Sequence, residues 1–173
     1  MVGSLDWEPA RERTELLAAP VAAAVGELTD ARAAAIDPEL ADTAAFCERY
    51  EVPLEASANC VVVAAKRGGE VSYAACMVLA TDRADVNGVV RRHLGARKIS
   101  FAPMDEATGR TGMEYGGITP VGLPADWPIL VDEAVAAAPH VVIGSGLRRS
   151  KLLVPGKALA ALPGAEVIAL AQR

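Results

Sequence analysis

The sharpest pattern along the chain is a pair of apolar runs separated by a short turn centred on two glycines. Residues 60–66 (CVVVAAK) and 70–80 (EVSYAACMVLA) are strand-like, and RGGE joins them. Gly68-Gly69 between two apolar runs predicts a two-residue hairpin turn. In that register Arg67 lies across from Glu70, and Lys66 across from Val71. The first run is apolar on both faces: Val61, Val63 and Ala65 on one, Val62 and Ala64 on the other. That is the signature of an interior strand. Lys66 then stands at the mouth of an apolar layer with no carboxylate opposite. Two readings stay open from pattern alone: a snorkelling stem with its ammonium in water, or a charge held at the core's edge for a function.

Other segments follow helical and extended periods. Leu16, Leu17, Val21 and Val25 form a helical stripe, interrupted by Pro20 and ending near Gly26. Residues 1–26 therefore read as a helical extension, and residues 27–173 as one domain. A helix is expected over 36–53, with Asp37 at its N-cap, Pro38 at its first position and Pro53 as its stop. The alanines before it read as helix formers. Beyond the hairpin come a helix over 82–95 capped by Gly95, a strand at 97–102, and a short helix opening residues 103–117. An extended loop follows at 118–124. Strands are expected at 127–132, 140–146, 150–155 and 165–171, with a helix at 156–162. Irregular interleaving of strands and helices predicts an α+β fold with a mixed, curled sheet flanked by helices.

Composition narrows the class. The chain has 173 residues, 52% hydrophobic and 23% charged, as in a globular domain. Cys47, Cys60 and Cys76 form no CxxC or Cys/His cluster, so neither a zinc site nor a cofactor is expected. Unpaired thiols, a charged N-terminus and no apolar run near membrane-spanning length point to a cytoplasmic protein. The net charge of −5 argues against broad binding to DNA or other duplexes, where affinity comes from neutralising phosphates.

Two glycine-rich stretches carry the remaining chemistry. Residues 113–124 (MEYGGITPVGLP) hold Gly116-Gly117 before Pro120, a loop able to present N–H groups to a ligand. Residues 141–151 (VVIGSGLRRSK) run from a strand into Gly144-Ser145-Gly146. No GxGxxG, GxxxxGK[ST] or GxSxG is present. His93 and His140 offer no triad context for a serine nucleophile.

In this order, VVVAAK, LGARKISFA, GGITPVGLP and VVIGSGLRRSKLLV resemble the YbaK-type aminoacyl-tRNA editing domains, related to the editing domain inserted in bacterial prolyl-tRNA synthetases. The likeness runs from about residue 38 to 171. It implies a mixed, barrel-like sheet flanked by helices, and hydrolysis in trans of the ester joining a wrong amino acid to a tRNA 3′ end. The family's lysine maps onto Lys66, its GxxxP loop onto Gly116 to Pro120, and its second glycine loop onto Gly144, Ser145 and Gly146. Lys66 would be a substrate-positioning charge, and N–H groups of the glycine loops, Gly116 and Gly117 first, would hold the oxyanion. Tyr73, Tyr115, Ile118, Thr119 and Pro120 would shape the pocket. Lys98, Arg148, Arg149 and Lys151 would meet nearby phosphates. The partner would be the aminoacylated 3′ end and acceptor stem, a contact small enough for an acidic protein, made by a monomer or weak homodimer. A non-catalytic tRNA- or ligand-binding module of the same fold is the alternative.

Overall fold

The computed structural model describes residues 2–28 and 30–172. In chain order its strands are β1 (Glu8–Pro9), β2 (Arg32–Ala35), β3 (Ala58–Arg67), β4 (Glu70–Leu79), β5 (Arg83–Ala84), β6 (Lys98–Phe101), β7 (Ile129–Asp132), β8 (Val141–Gly144), β9 (Ser150–Val154), β10 (Ala165–Ile168) and β11 (Ala171–Gln172). The helices are α1 (Ala19–Ala24), α2 (Thr43–Tyr50), α3 (Arg91–His93), α4 (Met104–Thr111), α5 (Glu133–Ala137) and α6 (Gly156–Ala160). None of the described helices is long and apolar enough to cross a membrane.

The hairpin forms in the expected register. Lys66 pairs with Val71 and Arg67 with Glu70, and β3 continues back to Ala58 against Leu79. β3 and β4 lie inside a five-stranded sheet ordered β10-β7-β4-β3-β6. β7 joins β4 in parallel and β6 joins β3 antiparallel, so the sheet is mixed. A four-stranded antiparallel sheet, β1-β2-β9-β8, and a small β11-β5 pair complete the β-structure. The α+β architecture is as expected, but the sheets do not close into a barrel. Among the described residues, one parallel bridge, Ser57 to Val142, links the two larger sheets. The rest of their junction is side-chain packing.

Several local readings give way to tertiary packing. The alanine-rich segment before residue 36 is β2, because Ala33 and Ala34 pair with Leu152 and Lys151 of β9; weak helix propensity yields to a buried place between two strands. The helix expected over 36–53 is broken. Asp37 accepts from the Glu39 N–H at 2.9 Å and starts a single turn, Pro38–Leu40, and α2 begins only at Thr43. The helix expected over 82–95 is a wide turn, Val86–Val90, running into α3.

Residues 8–26 do not form a continuous helical extension. They contain β1, single turns and α1, and they belong to the main core. Ala10, Leu16, Leu17, Ala18, Val21 and Val25 are buried with Ile143, Leu152 and Val154 of the four-stranded sheet and Met77, Ile129 and Val131 of the five-stranded one. Separate clusters lie under the wide turn, with Val63, Cys76, Val86 and Val90, and under α2, with Phe46, Cys47, Val142 and Leu153. Cys47, Cys60 and Cys76 are free thiols. Leu16 is 5% exposed, so Leu16→Ala is expected to destabilise the protein by about 2–5 kcal/mol in urea unfolding, the cost of a core cavity. A change within about 0.5 kcal/mol would mark these residues as an appendage.

Candidate active site

Every residue of β9 is buried, including its lysine. Side chains alternate along a strand. Leu152 and Val154 enter the core between the sheets, and Leu153 faces α2. Lys151 shares the face of Leu153 and is only 9% exposed. Its ammonium donates to the Ala41 carbonyl at 3.1 Å and lies 5.1 Å from the centre of the Phe46 ring. That carbonyl lies in the break between the Pro38–Leu40 turn and α2. Burial pulls the Lys151 pKa down from 10.5 to about 8; Cys47 and Asp42 oppose the drop, and Arg148 adds to it. A buried, perturbed ionisable group beside a cavity is a physical marker of a functional site.

The cavity beside Lys151 has a volume of about 400 Å³. Asp42 and Thr43 at the start of α2 form part of its wall, and Ala58 to Val61 of β3 form another part. Tyr115, Gly116, Ile118 and Gly144 supply the rest from the two glycine loops. Thr43 Oγ1 donates to Asn59 Oδ1 at 2.7 Å, which orients the amide at the cavity's edge.

The loops meet backbone to backbone. A Cβ on Gly144 would stand 2.5 Å from the Gly117 carbonyl oxygen and 2.8 Å from that of Ile118. A Cβ on Gly117 would stand 2.8 Å from the Leu147 carbonyl carbon. All three distances are below any real Cβ contact, so these glycines are what let the loops touch. Gly146 N–H donates to the Gly117 carbonyl at 2.7 Å, and Gly117 N–H to the Glu114 carbonyl at 3.0 Å. Those two expected oxyanion donors are thus used within the loops. Gly116 and Ile118 line the cavity, and among the described residues their N–H groups make no hydrogen bond.

The expected site residues divide into those the fold gathers and those it separates. Tyr115, Gly116, Ile118 and Gly144 share the cavity with Lys151. Lys66 does not. It is exposed at the hairpin tip, about 17 Å along β3 from Val61 at 3.3 Å per residue, in a different cleft with Arg67, Arg97 and Lys98. The apolar layer beneath its face, with Val62, Ala64, Tyr73 and Trp127, does not extend to the tip. Arg67 donates to the Gly95 carbonyl at 2.7 Å.

Tyr73 is buried, stacked on Trp127 at 5.4 Å and donating to Glu106 at 3.0 Å. Thr119 is buried with its hydroxyl unpartnered among the described residues. Pro120 lines a separate pocket with Trp127. Ser145 is buried, its hydroxyl 2.5 Å from that of Ser150, which donates to the Leu16 carbonyl. This network joins the second glycine loop to β9 and to the N-terminal segment. Gly146 packs on Ala18 and Val21.

Among the expected phosphate contacts, Lys151 is internal. Arg148 donates to the Tyr115 and Pro38 carbonyls at 3.2 and 3.1 Å, and Arg149 to the Glu15 carbonyl at 2.6 Å. Both arginines tie the second glycine loop to its neighbours. Asp42, Thr43 and Asn59 were not singled out by motif. The available signal was a polar residue opening an otherwise apolar strand, NCVVVAA, and for Lys151 a lysine inside SKLLV.

Residues 37–162 match the family model described as an aminoacyl-tRNA editing domain. A crystal structure of a candidate trans-editing enzyme for prolyl tRNA synthetase superposes with a TM-score of 0.73 at 22% identity, covering 97% of this chain and 100% of that one. The hypothetical protein APE2540 gives 0.75 at 20% identity, covering 95% and 100%. A scaffold protein from computational epitope grafting gives 0.74 at 21%, covering 96% and 99%. These likenesses establish the shared fold, and with the family match over most of its length, the chain belongs to the aminoacyl-tRNA editing domain family.

Proposed function

We propose that this protein is a trans-acting aminoacyl-tRNA deacylase whose reaction centre is the cavity between β3 and the two glycine loops. The observation that carries this reading is a buried lysine, Lys151, lining the same cavity as Gly116 and Ile118, whose N–H groups make no hydrogen bond among the described residues. Water adds to the ester carbonyl, the tetrahedral oxyanion forms, and the ribose hydroxyl leaves with a proton, giving free amino acid and tRNA. The developing negative charge is what a preorganised ammonium and backbone donors stabilise best in a site shielded from water. Lys151 takes the role first expected of Lys66, because Lys66 stands outside the cavity. Asp42 at the rim suits the substrate's α-ammonium, and Asn59, held by Thr43, suits its carbonyl or ribose oxygens.

A non-catalytic module is the second reading, favoured by the engagement of the Gly117 and Gly146 N–H groups inside the loops. Deacylation of a panel of mischarged tRNAs separates the two: turnover on at least one supports the enzyme, and tRNA binding without turnover on any supports the module.

Lys151→Met is expected to lower kcat by about 10²–10³, the usual loss for one oxyanion donor, while leaving the fold intact. The drop in pKa from 10.5 to about 8 corresponds to about 3 kcal/mol of folding energy. The variant is therefore expected to gain up to about 3 kcal/mol at pH 7, less the Ala41 hydrogen bond. Activity loss together with a raised Tm excludes unfolding as the cause.

The pH dependence carries two signs. The folded pKa lies below the unfolded one, so between about 8 and 10.5 the unfolded state binds more protons. Parent stability should rise with pH across that window, by an increment that Lys151→Met lacks. As a positive charge, Lys151 predicts that the enzymatic rate falls as pH passes about 8, after subtraction of spontaneous ester hydrolysis. A rate rising through the same pH would make it a general base and overturn the electrostatic role.

A further inference from the structure

At the far end of β3 from the cavity, the hairpin tip and the edge strand β6 enclose an open cleft of about 510 Å³. Its lining is Lys66, Arg67, Arg97, Lys98 and the Gly68-Gly69 turn, with no acidic residue. All four cationic residues are exposed. Lys66 and Lys98 sit directly across from each other in the β3–β6 ladder, a like-charge pairing that costs stability. Among the described residues, Lys66, Arg97 and Lys98 form no ion pair. Arg67 is fixed by the Gly95 carbonyl, and Glu70, opposite it in the ladder, is outside the cleft lining. A concave site walled by cations, in a chain of net charge −5, concentrates positive potential at one place.

A groove adjoins the cavity along β3 and reaches β6, the strand that also carries Lys98. Asn59 and Val61 line both the cavity and a neighbouring groove of about 690 Å³, whose further wall includes Ile99, Ser100 and Phe101 of β6. Phe101 is 67% exposed, and Lys98 lies at the other end of the same strand. From Asn59 to Lys66 the distance along β3 is about 23 Å. An aminoacyl nucleoside held in the cavity is too short to span that distance; a polynucleotide is long enough.

We infer that the Lys66–Arg67–Arg97–Lys98 cleft is a phosphate-docking site for the RNA whose aminoacylated 3′ end enters the cavity. The strand leaving the cavity crosses the groove at Phe101, and the backbone further from the ester is gripped by the hairpin tip. This rests on the deacylase reading for its orientation. It moves Lys66 from chemistry to binding. A lysine on an edge strand, as Lys98 is on β6, also discourages edge-to-edge association, and the test separates that role.

The experiment measures binding of uncharged tRNA to the full chain and to Lys66→Gln/Lys98→Gln as salt is varied from about 50 to 200 mM, with oligomeric state followed in parallel. Two lost phosphate contacts are expected to flatten the slope of log K against log salt by about 1.4–1.8. In deacylation, KM for charged tRNA should rise while hydrolysis of an aminoacyl-adenosine stays at the parent rate. Phe101→Ala should weaken tRNA binding without changing the salt slope. An unchanged slope in the double variant overturns the proposal. So does an unchanged slope with new self-association, which is the edge-guard outcome, or an equal loss on aminoacyl-adenosine. If the parent binds tRNA with a slope that depends on these lysines but deacylates nothing, the catalytic reading fails and the docking site stands.

Discussion

Gly144 lies against the carbonyl oxygens of Gly117 and Ile118 at distances that leave no room for a side chain. This contact sets the wall of the cavity. It brings the loop after α4 onto the end of β8, with the Gly146-to-Gly117 hydrogen bond alongside. Gly116 and Ile118 then face β3, and β9, paired to β8, carries Lys151 to the same place. Arg148 and Arg149 hold the outer turn of the second loop to Tyr115, Pro38 and Glu15. The residues that close the site are thus mostly glycines and backbone groups, and their value lies in what they permit to approach.

Lys151 is stabilised only in part where it lies. One carbonyl accepts from its ammonium and one aromatic ring lies beside it, Cys47 and Asp42 add electrostatic support, and desolvation still dominates its pKa. Burying a charge with so few partners costs folding energy, and proteins carry such costs chiefly where a function needs them. Lys66 is the reverse case. It is solvated at the hairpin tip, its charge costs little, and its surroundings are other cations. The two lysines thus suit different tasks: a desolvated charge acts strongly on a bond beside it, and a solvated one attracts an extended polyanion.

The hairpin shows how far local chemistry carries. Gly-Gly between apolar runs placed the turn, and the turn set every pair from Lys66–Val71 back to Ala58–Leu79. The first glycine loop was legible as a loop from Gly116-Gly117 and Pro120, and the second as the glycine-rich end of an apolar strand, which β8 leaves at Gly144. The N-terminal segment and the alanines before Ile36 were misread for one shared reason. Their helical propensity is real but worth only tenths of a kcal/mol per residue, and pairing with β9 and burial in the main core outweigh it.

Sequence by itself determined the strand pairing of the hairpin, the mixed α+β class and the order of motifs that marks the family. These depend on neighbours in the chain or on spacing along it. Which lysine enters the cavity was decided only by the tertiary structure. Lys66 and Lys151 both belong to strands with apolar neighbours, and alternation alone treats them alike. The difference is what covers each strand: α2 and the Ala41 carbonyl close over Lys151, whereas β3 runs past its sheet's apolar layer and leaves Lys66 in water. Burial is a property of the elements packed from elsewhere in the chain, and no local pattern in β3 or β9 encodes it.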